Sequence, residues 1–189
     1  MGTTTFNLIT GDMFDISSYQ NVLGESIQLI PDAICITTNG FVKKDGTAVM
    51  GRGCAYTFAQ LYPDAQEVLG YRILLYGNIV QEICRRPGKA AVYIFPVKPE
   101  SVIYDGTNAV SHMKKRFKIG DTVPGWAATA DIDLIIKSAN RMVEWANDEN
   151  YKAIVLPRPG CGAGELSWPE VSAVLSEILD DRFYCITFK

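Results

Sequence analysis

The stretch "VLPRPGCGAGELSW" (Val155–Trp168) decides how this chain is read. An apolar run and two prolines lead into Gly160, Gly162 and Gly164, and Glu165 follows. The segment "SWPEVSAVLSEIL" then opens as a helix, with Ser167 at the cap position, Pro169 just inside and Glu170 in the first turn. The stretch is therefore strand, glycine-rich loop, helix. It does not match the P-loop, because no Gly-Lys-Ser/Thr follows, nor the dinucleotide fingerprint, because its spacing is GxGxG with no suitable acid downstream. Two readings stay open: a sharp connection, or a nest of backbone N–H groups at a helix start, built for an anion.

Working outward, the same alternation recurs. "TFNLI" (Thr5–Ile9), "DAICITT" (Asp32–Thr38), "NIVQEI", "AVYIFPV", "AIVLP" and "RFYCITF" read as strands, several of them apolar throughout as in strands covered on both faces. "GCAYTFAQLY" (Gly53–Tyr62) and Ala65 to about Leu75 read as helices, the first stopping before Pro63. From Asp131 to about Asn147 the period is clearly helical, with Ile132, Ile135, Ile136, Ala139, Met142, Val143 and Ala146 on one face. Residues 99–128 are rich in Gly, Asn, Ser and Lys and read as an irregular insertion. The expectation is one α/β domain over 1–189 with a parallel or mixed sheet.

In such folds ligands lie beyond the carboxyl ends of the strands. The loop after Thr38 runs "NGFVKKDGTAVMGRGCA" into a helix, with Gly51 and Gly53 flanking Arg52 and the helix opening at Cys54 and Ala55. This is a second set of donors at a helix start. Two such loops in one α/β domain predict a single pyrophosphate gripped from both sides.

Bulk properties narrow the choice. A net charge of −3 over 189 residues argues against a general nucleic-acid binder, so an anion must be held by local donors. The five cysteines (Cys35, Cys54, Cys84, Cys161, Cys185) are scattered without a CxxC pair, which indicates neither a disulfide framework nor a metal site. The beginning of the chain reads without a signal peptide and no apolar run is long enough to span a membrane, so a cytoplasmic location is expected.

Taken together, "GD" (Gly11-Asp12), "DAICITTNG" (Asp32–Gly40), "MGRGCAYTFAQLYP" (Met50–Pro63) and "LPRPGCGAGELSWPEV" (Leu156–Val171) resemble macro domains. The resemblance is to the branch of ADP-ribose-1''-phosphate phosphatases and of glycohydrolases that remove ADP-ribose from acidic side chains. It implies a three-layer α/β/α fold with a central mixed sheet and an ADP-ribose cleft at the strand ends. By position, Asp12 would take the adenine amino group, with Met13 beside it, and Asn39 would contact the distal ribose. Gly51, Arg52, Gly53, Cys54 and Ala55 would form one phosphate loop. Gly160, Cys161, Gly162, Ala163 and Gly164 would form the other. No cofactor or metal is implied. In the glycohydrolases a lysine on the helix after the first loop attacks the ribose, and an aspartate sits in the second loop. Here Cys54–Tyr62 holds no lysine, and Gly164 followed by Glu165 replaces the aspartate.

The expected function is binding of ADP-ribose or a derivative, as a small molecule or on a modified protein, with hydrolysis at the distal ribose. The alternative is a non-catalytic ADP-ribose or nucleotide-signal module. Glu165 is the best-placed acid to activate a water, although favourable charge near a helix start is the expected role for it. Lys98, just past a strand end, is placed to reach an anion, although solvent exposure is the expectation for it. His112, the only histidine, is expected on the surface, and Lys114, Lys115, Arg116 and Lys118 read as a solvated basic loop.

Overall fold

The computed structural model describes residues 5–188. The core is a six-stranded sheet of order β1-β8-β7-β2-β4-β3. Its strands are β1 (Asn7–Thr10), β2 (Ala33–Asn39), β3 (Gln81–Cys84), β4 (Ala91–Lys98), β7 (Ile154–Pro157) and β8 (Phe183–Thr187). All neighbours pair in parallel except β3, which runs antiparallel to β4 at one edge. The sheet is mixed because β3 and β4 follow one another without an intervening helix and so pair antiparallel.

Helices cover both faces, and the period of two along each strand divides the apolar side chains between them. On one face α1 (Gly53–Leu61) and α2 (Ala65–Tyr76) pack Phe58, Leu69 and Ile73 against Ile34, Ile36, Val92, Ile94 and Val155. On the other, α3 (Ile132–Asp148) and α4 (Trp168–Ser176) pack Ile135, Met142, Val171 and Leu175 against Cys35, Tyr93, Phe95, Ile154 and Leu156. The three layers are those of an α/β/α sandwich.

The helix starts follow from local chemistry. Asp131 caps α3 by accepting from the N–H groups of Asp133 and Leu134, and Ser167 caps α4 by accepting from Glu170 N. The buried face of α3 includes Ser138, whose hydroxyl donates to Pro96 O at 2.7 Å. That bond lets a polar residue occupy the apolar stripe.

Residues 99–128 are more ordered than their composition suggests. They form an antiparallel pair, β5 (Ser101–Ile103) with β6 (Thr122–Pro124), and single 3-10 turns at Lys114–Arg116 and Gly125–Ala127. Tyr104, Val110, Met113 and Val123 give the segment a small core of its own. Gly125 brings it back against the end of β4: its N–H donates to Glu100 O at 2.7 Å, and a Cβ there would collide with Pro99 O.

From β2 the chain proceeds to β4 on one side, and from β7 it proceeds to β8 on the other. The two connections leave on opposite faces, through α1 and α4. A crevice therefore opens between the ends of β2 and β7, where open α/β sheets bind ligands.

Candidate functional site

That crevice is a cleft of about 370 Å³, bounded by the ends of β2, β4 and β7 and by both glycine-rich loops. Of the residues expected at the site, Asn39, Gly51, Arg52, Gly53, Cys54, Ala55, Gly160, Gly162, Ala163 and Gly164 line it.

The first loop ends at an uncapped helix. Arg52 occupies the N-cap of α1 with an extended backbone and no side-chain cap, so the first N–H groups of α1 are presented at the cleft. Gly53 adopts φ +60°, a conformation that favours glycine. The loop is braced from below by Asn39, whose Nδ2 donates to Val49 O at 2.9 Å while its Oδ1 accepts from Phe41 N at 3.0 Å. Cys54 packs its sulfur 3.4 Å from Thr37 N and Oγ1, and burial pushes its thiol pKa up despite those contacts.

The glycines of the second loop do different work. A Cβ on Gly160 would lie 2.8 Å from Ala130 Cβ and Ile135 Cδ1, and one on Gly164 would lie 2.5 Å from Gly160 O. These two are demanded by packing, and Ala130 N donates to Gly164 O at 2.9 Å. Gly51 and Gly162 have nothing within 4 Å of a built Cβ, so what their bareness keeps open is the cleft itself. Cys161 turns away from the cleft into the core beneath α3 and α4, where burial raises its thiol pKa to about 11.

Lys98 is the residue that the sequence reading misplaced. It ends β4 and lines the cleft at 7% exposure, not in solvent. Its Nζ donates to Ala163 O at 2.9 Å and lies 3.5 Å from Trp126 O. Its backbone is pinned as well: Lys98 O accepts from Gly40 N and from Asn78 Nδ2. Burial lowers its pKa to about 8, with neighbouring Glu165 opposing and Arg52 adding to that shift. Helix α1 holds no lysine, and the amine that enters the cleft comes from the end of β4.

No protein-family model matches this sequence, and no curated protein does either. Solved structures do match in three dimensions. The macrodomain of Thermus aquaticus DarG superposes with a TM-score of 0.63 at 17% identity, covering 96% of both chains. The macrodomain of Mycobacterium tuberculosis DarG gives 0.60 at 15%, covering 98% of this chain and 100% of that one. The chain has the macrodomain fold. Thermosipho africanus DarTG, solved in complex with ADP-ribose, gives 0.61 at 16% over 97% of this chain, which spans 42% of that longer one.

Within this fold, Asp12 and Met13 follow β1, the edge strand, and do not line the cleft. Asp12 Oδ1 accepts from Phe14 N at 2.9 Å, and Met13 is buried with its carbonyl accepting from Tyr19 Oη. Glu165 also departs from the role of water-activating base. It stands at the outer mouth with φ +63°, and its two carboxylate oxygens accept from Ser111 N (2.8 Å) and Ser111 Oγ (2.9 Å). Those bonds hold its carboxyl below the ordinary range, which makes it a poor base. His112 is exposed, as expected, but the surface it occupies borders the site. It lines the cleft, and its Nε2 is 3.3 Å from an Arg52 guanidinium nitrogen. Nothing local in the sequence signals these last contacts, because their partners are 54 and 60 residues apart.

Proposed function

We propose that this macrodomain binds ADP-ribose or a close derivative, and that it hydrolyses the bond between the distal ribose and its acceptor with Lys98 as the nucleophile. One observation carries the reading: two loops rich in backbone donors face each other across a cleft whose floor holds a buried lysine. The cleft falls within the roughly 300–1,000 Å³ of small-molecule sites. A protein of the same fold solved in complex with ADP-ribose supports the choice of ligand.

The diphosphate lies between the N-terminus of α1 and the Gly160–Gly164 loop, where N–H groups and the helix dipole compensate its charge. The adenosine end points toward Asp12, and the distal ribose lies beside Asn39 and Lys98. With its pKa at about 8, about a tenth of Lys98 is the neutral amine at pH 7. That amine attacks the anomeric carbon. The bond to the acceptor oxygen breaks, the electron pair leaves with the acceptor, and the proton released by the amine goes to it. Water then attacks the same carbon, the carbon–nitrogen bond breaks with its electron pair returning to Nζ, and the proton lost by the water goes to that nitrogen, which frees ADP-ribose and restores Lys98.

Calorimetry with ADP-ribose tests binding; absence of heat at millimolar ligand rejects the assignment. Release of phosphate from ADP-ribose-1''-phosphate, or of ADP-ribose from a modified protein, tests turnover. Binding without either product would make the protein a reader.

A further inference from the structure

Within residues 99–128, Val110 and His112 line the cleft, and Ser111 and His112 tie this part of the chain to both glycine-rich loops. On one side, Ser111 is held by both oxygens of Glu165, directly after the second loop. On the other, His112 meets Arg52 in the first loop. Arg52, Gly53, His112, Gly162, Ala163 and Glu165 together border a space at this mouth.

Three features point to a ligand there. Arg52 pairs with no carboxylate among the described residues, and its one side-chain partner is His112, so most of its five donors remain available. His112 sits on a supported segment, since Val110 and Met113 on either side are buried in the segment's own core. Glu165, the one acid bordering this space, is already occupied by Ser111 and keeps a left-handed backbone that ordinary residues avoid. The bonds it makes thus serve to place Ser111, and with it His112, above the gap between the loops.

We infer that Arg52 and His112 close the anion cradle on its solvent side and bind the diphosphate of the nucleotide, and that Glu165 is a positioning residue that sets His112 in place through Ser111. The inference rests on the proposed ADP-ribose reading. It makes the 99–128 segment part of the binding site.

Calorimetry on the full chain tests this with two probes, ADP-ribose and ADP, which share the diphosphate and differ in the distal ribose. Arg52→Ala and His112→Ala are each expected to weaken both probes about tenfold, the scale of one charge-assisted hydrogen bond. Glu165→Ala is expected to weaken them similarly, and Ser111→Ala less, because the bond from Ser111 N survives. Combining Glu165→Ala with His112→Ala should add no further loss, which a general structural effect would not reproduce. If the unaltered protein binds ADP-ribose while Arg52→Ala and His112→Ala bind as tightly, the inference falls and the function stands. A loss confined to ADP-ribose also overturns it, by moving the pair to the distal ribose. Failure of the unaltered protein to bind either probe removes the function and the inference together.

Discussion

Lys98 Nζ lies 2.9 Å from Ala163 O, so the end of β4 and the tip of the second glycine-rich loop meet inside the cleft. Burial strips a cation in that place of its hydration, and the accepting carbonyls and the opposing field of Glu165 do not make up the loss, so the neutral amine is favoured.

Replacing Lys98 with Met is therefore expected to abolish hydrolysis while leaving ADP-ribose binding within a few-fold of the original. Turnover of the unaltered protein should rise with pH up to about 8, as the amine loses its proton, and then level off. A pH–rate profile flat from pH 6 to 9 would remove Lys98 from the nucleophile's role.

The same residue shapes stability. Its folded pKa of about 8 lies below the unfolded value of 10.5, so between these limits the unfolded chain binds more protons. Stability from this group therefore increases as pH rises through that window and is lowest below pH 8. Thermal melts should show Lys98→Met more stable than the parent at pH 7, with the difference shrinking by pH 10.

Two glycines two residues apart in the same loop, Gly162 and Gly164, should behave oppositely. Gly164→Ala places a Cβ 2.5 Å from Gly160 O and is expected to cost about 2 kcal/mol or more. Gly162→Val meets open space at the cleft and should leave the melting temperature within about 2 °C, since exposed substitutions change stability little. Its cost should appear in ADP-ribose affinity. Equal melting temperatures for the two variants would contradict this division.

Asp131 caps α3 with two accepted N–H bonds, and its own N–H donates to Val97 O at 2.9 Å, next to Lys98. Asp131→Ala should cost about 1 kcal/mol in denaturant unfolding. An unchanged midpoint would mean that the cap is satisfied by water.

The cap at Ser167, the period of α3 and the two strand–loop–helix connections were all legible in the sequence, because each depends on residues within one or two turns of one another. Lys98 was not. A cation ending an apolar strand reads as solvent-exposed, since water is ordinarily its best partner. It is buried because Gly125 and Trp126, nearly thirty residues on, fold back over the end of β4. Glu165 read as a possible base for the same reason: its neighbours in sequence do not include Ser111, which takes its lone pairs. Residues 99–128 read as irregular because strands of three residues carry no period, although their apolar side chains suffice for a small core.

By itself, then, the sequence determined the layers of this fold and the two loops that can hold an anion, since local hydrogen bonding and side-chain period specify them. Tertiary structure decided which side chains enter the cleft. Parallel pairing sets the ends of β2, β4 and β7 side by side although the chain separates them widely, and the returning segment takes water away from Lys98. Burial and long-range partners, rather than residue type, assign the amine, the histidine and the glutamate their chemistry.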